Sequence, residues 1–185
     1  MEAIRKEKDE TEVFEALPEG TCAELIDGII FMSPAPNRKH QDISMGLSWA
    51  IRSHISESGS DCRVYAAPFD VYLDDLVNEG VHDCFQPDIS VICDKDKLQD
   101  DGCHGAPDWI IEITSPSTQH RDYMTKLFKY RAAGVKEYWI VNPVTETVSV
   151  YRFRDEPQGE QYRFTDAVPV GICPGFEIRI SDLVE

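Results

Sequence analysis

Apolar residues recur at spacings of three and four between residue 40 and about residue 56. The positions are Ile43, Leu47, Ala50, Ile51 and Ile55. This spacing places them on one face of an amphipathic helix, which we expect to pack on a sheet. A second helical pattern covers residues 122–133 and ends at Gly134, a residue suited to the left-handed conformation that closes many helices. The pattern therefore predicts two helices.

Shorter apolar runs predict strands. An Asp-Gly pair at Asp27 and Gly28 separates two such runs and predicts a β-hairpin over residues 23–31, because these turns need positive φ angles. Further strands are predicted at residues 63–73, 87–93, 109–114, 138–141 and 147–153, with closing edge strands between 162 and 180. The strand, helix, strand order over residues 109–141 predicts a right-handed crossover between parallel strands.

These elements predict an α/β fold in which helices lie on a mixed sheet and a small hairpin comes first. A length of 185 residues fits one domain, so we expect a single domain over residues 1–185. Residues 1–15 are charge-rich without a clear apolar period and are expected to be peripheral, either frayed or a short exposed helix. With no long apolar run, the chain is expected to be cytoplasmic and to have no membrane partner.

The cysteines contain no C-x-x-C pair, so we expect no zinc knuckle. Cys22, Cys62 and Cys93 lie within or beside strand-like runs. We interpret them as small buried thiols, because disulfides are disfavoured in a reducing cytosol.

The formal net charge of −16 argues against indiscriminate binding of polyanions, since nucleic-acid affinity depends on cations that neutralise phosphates. The charge is uneven, however. Between residues 115 and 139 the anions Asp122 and Glu137 are outnumbered by cations, which are Arg121, Lys126, Lys129, Arg131 and Lys136. Any nucleic acid would have to meet that local surface.

Two carboxylates, Asp88 and Glu112, lie in apolar strand-like runs. Burying an unpaired charge is costly, so each needs a cation or a proton; for Asp88 the alternative is a strand-start residue that caps a turn. If the two strands are neighbours, a separation of about 4.8 Å lets both carboxylates share Mg²⁺ or Mn²⁺. Such a metal activates water and stabilises charge on a phosphate. Asp108 lies roughly 13 Å along the strand from Glu112 and cannot share that ion.

Four other residues are candidates for the same site. Lys126 lies four residues after Asp122, which predicts either a solvated ion pair or an ammonium directed into the carboxylate cluster. His40, at the start of a helix, could bind phosphate or water, although a lone histidine there is more often structural. Glu24 is either solvated on the hairpin or turned inward as a third carboxylate. Tyr130, one turn beyond Lys126, is interpreted as a core residue.

Several of these residues fall in motifs that carry a family resemblance. The motifs are Glu24-Leu25-Ile26-Asp27-Gly28, His40, Pro87-Asp88, Ala106-Pro107-Asp108, Ile111-Glu112-Ile113, Ser115-Pro116-Ser117, Asp122, Lys126, Tyr130, Gly134-Val135 and Glu137-Tyr138-Trp139. Together, over residues 24–153, they resemble the Uma2 family, proteins of restriction-endonuclease-like fold related to the PD-(D/E)xK nucleases.

The resemblance implies an α/β/α nuclease core with Asp88 and Glu112 as metal ligands. The usual E-x-K triplet of the superfamily reads Glu112-Ile113-Thr114 here, so the lysine is absent from its strand. Family members are thought to supply it from the following helix, which points to Lys126.

The leading hypothesis is a Mg²⁺-dependent endonuclease that hydrolyses DNA phosphodiester bonds. Its catalytic set is Asp88, Glu112 and Lys126, with Glu24 and His40 as further candidates. A homodimer is expected, because cutting two strands with one site per chain takes two sites. One alternative is a catalytically inactive member of the fold that acts as an interaction or regulatory module. Another is a metal-dependent hydrolase of a smaller phosphoester.

Overall fold

The computed structural model describes residues 10–18, 20–74, 82–116, 118–154 and 158–184. Its helices are α1 (Glu10–Glu15), α2 (Arg38–Ser58), α3 (Gln119–Arg121) and α4 (Leu127–Ala133). A π-helical segment (Asp122–Lys126) joins α3 and α4 into one continuous helical stretch. None of the helices in these described ranges is long and apolar enough to cross a membrane.

Strands make up most of the remaining regular structure. They are β1 (Ala23–Ile26), β2 (Ile29–Met32), β3 (Arg63–Ala66), β4 (Val71–Asp74), β5 (His82–Phe85), β6 (Ile89–Ile92), β7 (Leu98–Gln99), β8 (Gly102–His104), β9 (Trp109–Ile113), β10 (Glu137–Asn142), β11 (Thr147–Arg152), β12 (Glu160–Arg163), β13 (Val168–Pro169) and β14 (Glu177–Ile178). The last two form a small separate pair, and the others form two larger sheets.

The first large sheet, called the central sheet, has the strand order β12-β11-β10-β9-β6-β3. β9 and β10 are parallel, and the other neighbours are antiparallel. The predicted mixed sheet and the predicted parallel pair are therefore confirmed. Because parallel neighbours need a long crossover connection, the helical stretch from α3 to α4 lies between them in the chain.

Helix α2 covers one face of the central sheet. Its buried residues are Ile43, Leu47, Ile51 and Ile55, as the spacing predicted. They share a core with Trp109 and Trp139, whose ring centroids lie 4.8 Å apart. The helix begins before the predicted residue 40 because the side chain of Asn37 accepts a hydrogen bond from the backbone N–H of His40 and caps the first turn.

The second large sheet, called the hairpin sheet, has the order β2-β1-β5-β4-β8-β7. The predicted hairpin is confirmed in β1 and β2, where Ile26 lies opposite Ile29. The turn residues Asp27 and Gly28 have φ angles of 51° and 73°, as a tight hairpin of this kind requires. The hairpin is not a separate unit, since it forms one edge of this six-stranded sheet.

Helix α4 and the hairpin sheet cover the other face of the central sheet. Side chains alternate along β9, so Trp109 and Ile111 lie in the core under α2. Ile110 lies in a second core with Tyr130 of α4. Glu112 points the same way as Ile110 and contacts Tyr130. The fold thus places this carboxylate in the interior between β9, α4 and the hairpin sheet.

One strand prediction is corrected, and three strands were not predicted. Residues 63–73 form two strands: β3 pairs with β6 in the central sheet, whereas β4 pairs with β5 and β8 in the hairpin sheet. Pro68 lies between them, and proline cannot donate to a strand ladder. The hydrophobic pattern also fails to predict β5, β7 and β8. β5 begins with His-Asp, and β7 and β8 have only 2 and 3 residues.

The interpretation of Cys22, Cys62 and Cys93 as buried thiols is wrong at all three positions. Cys62 and Cys93 form a disulfide, because they lie directly beyond the paired residues Arg63 and Ile92 of adjacent antiparallel strands. Cys22 is exposed.

The N-terminal segment is peripheral where it is described, since α1 contains no buried residue. Residues 1–9 of the predicted frayed segment lie outside the described residues, as does Ser117 of the Ser115-Pro116-Ser117 motif.

Candidate active site

Strand β1 carries Glu24 into the protein interior. The tight turn fixes the register so that Glu24 lies opposite Phe31 of β2. Glu24 is 1% exposed, and its Oε1 accepts a hydrogen bond of 3.1 Å from the backbone N–H of Gln86. Of the two alternatives for this residue, the structure shows the inward orientation.

Asp88 and Glu112 come from neighbouring strands. β6 and β9 pair antiparallel with Ile89 opposite Ile111, so the next positions outward, Asp88 and Glu112, are also adjacent. Asp88 Oδ2 accepts a hydrogen bond of 2.7 Å from the backbone N–H of Ile113, the residue after Glu112. This bond fixes the carboxylate of Asp88 beside the end of β9. The adjacency on which a shared cation depends is therefore present.

Lys126 points into the carboxylate cluster. Its Nζ lies 2.8 Å from Glu112 Oε1 and 2.8 Å from Glu24 Oε1. Asp122 Oδ1 is 3.9 Å away, beyond hydrogen-bond distance. The alternative of a solvated ion pair with Asp122 is therefore not what the structure shows, because the Lys126 side chain is only 4% exposed.

Tyr130 also reaches Glu112. Its hydroxyl donates a hydrogen bond of 2.9 Å to Glu112 Oε1, the oxygen that Lys126 contacts. Tyr130 is fully buried, so its interpretation as a core residue is correct but incomplete. The sequence signal for its contact with Glu112 was its position one helical turn after Lys126, since residues four apart share a helix face.

His40 lies at the edge of the cluster, next to Asp88. Its Nε2 is 3.2 Å from Asp88 Oδ1. Burial alone would lower the pKa of His40, but the hydrogen bond and charge of Asp88 outweigh burial and raise the pKa above its ordinary value. The first turn of α2 therefore brings a cation-forming group to Asp88.

The site contains more carboxylates than cations. Burial raises the pKa of Glu112 well above its ordinary value; Lys126 opposes this shift, and the nearby carboxylates add to it. Burial alone would lower the pKa of Lys126, but Glu112, Glu24 and Asp122 outweigh burial and raise it. Lys126 is therefore charged at neutral pH. Since one ammonium faces several buried carboxylates, the site has capacity for a further positive charge.

This donor set fits a hard divalent cation. Mg²⁺ commonly takes one or two protein carboxylates and completes its shell with waters and substrate oxygens. Within the described ranges, no group of three or more His, Cys, Asp or Glu side chains is arranged to hold a metal ion. Asp88 and Glu112 offer the two-carboxylate arrangement. Because Lys126 and Tyr130 both contact Oε1 of Glu112, the second oxygen is the one available to a cation.

Asp108 lies outside this cluster. Its Oδ2 accepts a hydrogen bond of 2.7 Å from the backbone N–H of Cys93, and its Oδ1 pairs with Lys136. The carboxylate is thus used to join β6, β9 and the start of β10. Its exclusion as a partner of Glu112 agrees with these contacts.

One solved structure shares this architecture, and one curated protein is similar in sequence. A solved structure of a putative nuclease belonging to DUF820, from Anabaena variabilis ATCC 29413, matches with a TM-score of 0.75 and 24% identity, covering 96% of this chain and 97% of that one. The curated protein slr1290 of Synechocystis sp., described as uncharacterized, is 26% identical over 134 residues, which are 72% of this chain and 67% of that protein.

The fold is therefore of the restriction-endonuclease-like class, as the sequence predicted. A family model described as "Uma2: Putative restriction endonuclease" matches residues 11–181. The chain belongs to the Uma2 family.

Proposed function

We propose that this protein is a Mg²⁺-dependent endonuclease that hydrolyses DNA phosphodiester bonds, with Asp88 and Glu112 as metal ligands and Lys126 as the catalytic cation. The observation that carries the proposal is the 2.8 Å contact between Lys126 Nζ and Glu112 Oε1, on a strand adjacent to Asp88. This contact supports the helix-borne Lys126 as the substitute for the lysine that is absent from the strand of the E-x-K motif. The described nuclease class of the family and of the structural neighbour supports the same reaction.

Each residue has a distinct part in this proposal. A bound Mg²⁺ would lower the pKa of a water and stabilise charge on the phosphate. Lys126 has three N–H donors, of which two point at Glu24 and Glu112, so the third can hold a water or a phosphate oxygen. Glu24 keeps the ammonium charged and in place. His40 orients the Asp88 carboxylate through their 3.2 Å contact.

The second candidate is a catalytically inactive interaction or regulatory module. It is favoured by the net charge of −16, which opposes DNA binding. It is also favoured by the buried contact between Lys126 and Glu112, because these two groups satisfy each other without a metal. Hydrolysis of a smaller phosphoester, for which an acidic surface is less of an obstacle, is the third candidate.

Three isosteric or near-isosteric variants test the proposal. With supercoiled plasmid and Mg²⁺, we expect Glu112→Gln and Lys126→Met each to lose about hundredfold or more in cleavage rate. The matched control is Lys136→Met, which removes a lysine paired with a buried carboxylate, Asp108, outside the site. This control should retain cleavage.

Calorimetric titration with Mg²⁺ and Mn²⁺ separates the candidates further. The wild type should bind the cation, and Asp88→Asn should bind it weakly while keeping its fold. An absence of binding to the wild type, or equal cleavage by all variants, would contradict the endonuclease proposal and favour the inactive module. Turnover of a small phosphodiester without cleavage of plasmid would favour the third candidate.

A homodimer and a cytoplasmic location belong to the same proposal. Two-strand cleavage by an enzyme with one site per chain takes two chains, and two-fold pairing is the commonest assembly. Sedimentation of the full chain, with and without a DNA duplex, measures that assembly directly.

A further inference from the structure

Arg121 occupies the mouth of the carboxylate cluster, at the end of α3. Its side chain is 17% exposed, and its Nη2 lies 3.6 Å from Glu24 Oε2. The guanidinium carbon lies 4.8 Å from the centre of the Phe31 ring, which belongs to the strand paired with Glu24. Two independent contacts therefore fix this guanidinium beside Lys126 while leaving part of it accessible.

The donors of Arg121 are not all used within the described part of the chain. Its Nε is buried and has no hydrogen-bond partner there. The 3.6 Å separation from Glu24 is too long for a hydrogen bond, and Glu24 Oε2 is likewise without a hydrogen bond among the described residues. A buried guanidinium N–H left unpaired costs free energy. The unused donors of this guanidinium are therefore available to a ligand.

We propose that Arg121 is the substrate-phosphate clamp of this site, a role that rests on the endonuclease function proposed above. A planar guanidinium matches two oxygens of a phosphate and forms strong paired hydrogen bonds with them. Phe31 holds the plane of the group from one face, and Glu24 holds its position without occupying its donors. Arg121 is more exposed than Lys126, 17% against 4% of the side chain. A DNA phosphate at the mouth thus contacts Arg121 first, and the adjacent phosphate of the same strand then reaches Lys126.

Arg131 provides a matched control on the same helical stretch. Its guanidinium carbon lies 5.3 Å from the centre of the Phe153 ring, so it too stacks on a phenylalanine. Arg131 is exposed. It is ten residues farther along the chain than Arg121, near β11 rather than β1. A general loss of positive charge or of arginine stacking would affect both positions alike.

The test measures binding of a short DNA duplex to the full chain in EDTA, by fluorescence anisotropy over a range of salt concentrations. Arg121→Gln should weaken binding about tenfold to hundredfold and reduce the slope of log affinity against log salt by about 1. Arg121→Lys should keep the slope and lose part of the affinity, because it retains the charge and loses the fork. Arg131→Gln should weaken binding less than Arg121→Gln, because it removes a surface charge but no group at the carboxylate cluster.

Cleavage assays with Mg²⁺ separate this proposal from the one on which it rests. If the wild type cleaves DNA and Arg121→Gln has the same slope, affinity and KM as Arg131→Gln, the clamp is wrong and the endonuclease stands. If the wild type neither binds nor cleaves DNA, both proposals are overturned. Circular dichroism checks the fold of each variant. If Arg121→Gln fails to fold, Arg121→Lys still tests the clamp. A role of Arg121 limited to stacking on Phe31 predicts that Arg121→Lys binds DNA as tightly as the wild type, whereas the clamp predicts weaker binding.

Discussion

At the scale of single residues, the site is a balance of charges among largely buried side chains. Lys126 is shared by Glu24 and Glu112, and Tyr130 adds a neutral donor to Glu112. A neutral donor stabilises a carboxylate without consuming its negative charge. The arrangement thus fixes Glu112 in one orientation. Carboxylates outnumber cations around it, so the site attracts a further positive charge, either a proton, as the raised pKa of Glu112 indicates, or a divalent cation.

His40 gives a pH prediction for the metal-free protein. Its pKa is raised because Asp88 outweighs the effect of burial. A histidine with a raised folded-state pKa contributes stability that is fully present below its unfolded value, near 6.5, and is lost as the pH rises through the folded value. NMR titration of the imidazole should therefore show a midpoint above 6.5, and the free energy of unfolding should fall across that window.

Two variants check the cause of this shift. Asp88→Asn should lower the midpoint of the His40 titration, and His40→Gln should flatten the pH dependence of unfolding in the same window. Mg²⁺ should also lower the midpoint, because a cation on Asp88 disfavours protonation of its neighbour. A His40 midpoint at or below 6.5 in the metal-free wild type would show that burial prevails.

At the scale of elements, some features could be predicted from the sequence because they follow from local patterns of residues. The spacing of Ile43 and Leu47 defines α2, and the Asp27-Gly28 turn defines the hairpin. The position of Glu112 in a run of buried β-branched residues identifies it by the cost of burying its charge. For Lys126, helical spacing predicted two alternatives, a solvated ion pair with Asp122 or an ammonium directed into the carboxylate cluster. It could not decide between them.

Other features of the elements could not be predicted, because they depend on contacts between distant segments. β8 is three residues long and contains Gly102, so only its pairing with β4 reveals it. The π-helical segment adds a residue to one turn and shifts the faces of the helix, an effect without a composition signal. The place of Arg121 depends on its approach to Phe31, 90 positions earlier in the chain.

The hairpin that carries Glu24 is tied to α4 by a second buried ion pair. Lys129 Nζ lies 2.8 Å from Asp83 Oδ2 and also pairs with Asp27 of the turn. The backbone N–H of Asp27 donates to Asp83 Oδ1 at 2.8 Å. One lysine therefore joins the turn, β5 and α4. It ties the hairpin that carries Glu24 to the helical stretch that carries Lys126.

We predict that Lys129→Met loosens this hairpin. Stranding the buried carboxylate of Asp83 costs more than roughly 1.4 kcal/mol, so amides of β1 and β2 should exchange hydrogen at least about tenfold faster. Lys136→Met serves as the control, because Lys136 pairs with the buried Asp108 on another side of the fold. Equal acceleration in both variants, or protection of the hairpin in Lys129→Met, would show that this ion pair does not hold it.

At the scale of the whole molecule, the net charge and the proposed substrate oppose each other. A chain of net charge −16 repels DNA at long range, where this repulsion is stronger than the attraction of the local cations Arg121 and Lys126. Screening changes this balance, since the Debye length falls from about 30 Å at 0.01 M salt to about 10 Å at 0.1 M. The repulsion therefore acts mainly on the association rate at low salt, whereas the contacts of Arg121 act on the bound state.

Neutralising acids far from the site isolates that repulsion. A triple variant with Glu57→Gln, Asp100→Asn and Glu177→Gln changes three exposed residues and takes the net charge from −16 to −13. Stopped-flow association with a DNA duplex should be several-fold faster than for the wild type at 0.01 M salt, and the two rates should converge above 0.1 M. A small phosphodiester, which carries one charge, should be hydrolysed equally by both proteins. Equal association rates at 0.01 M salt would show that DNA approaches along a path from which these acids are remote, and that the overall charge is no obstacle to the proposed reaction.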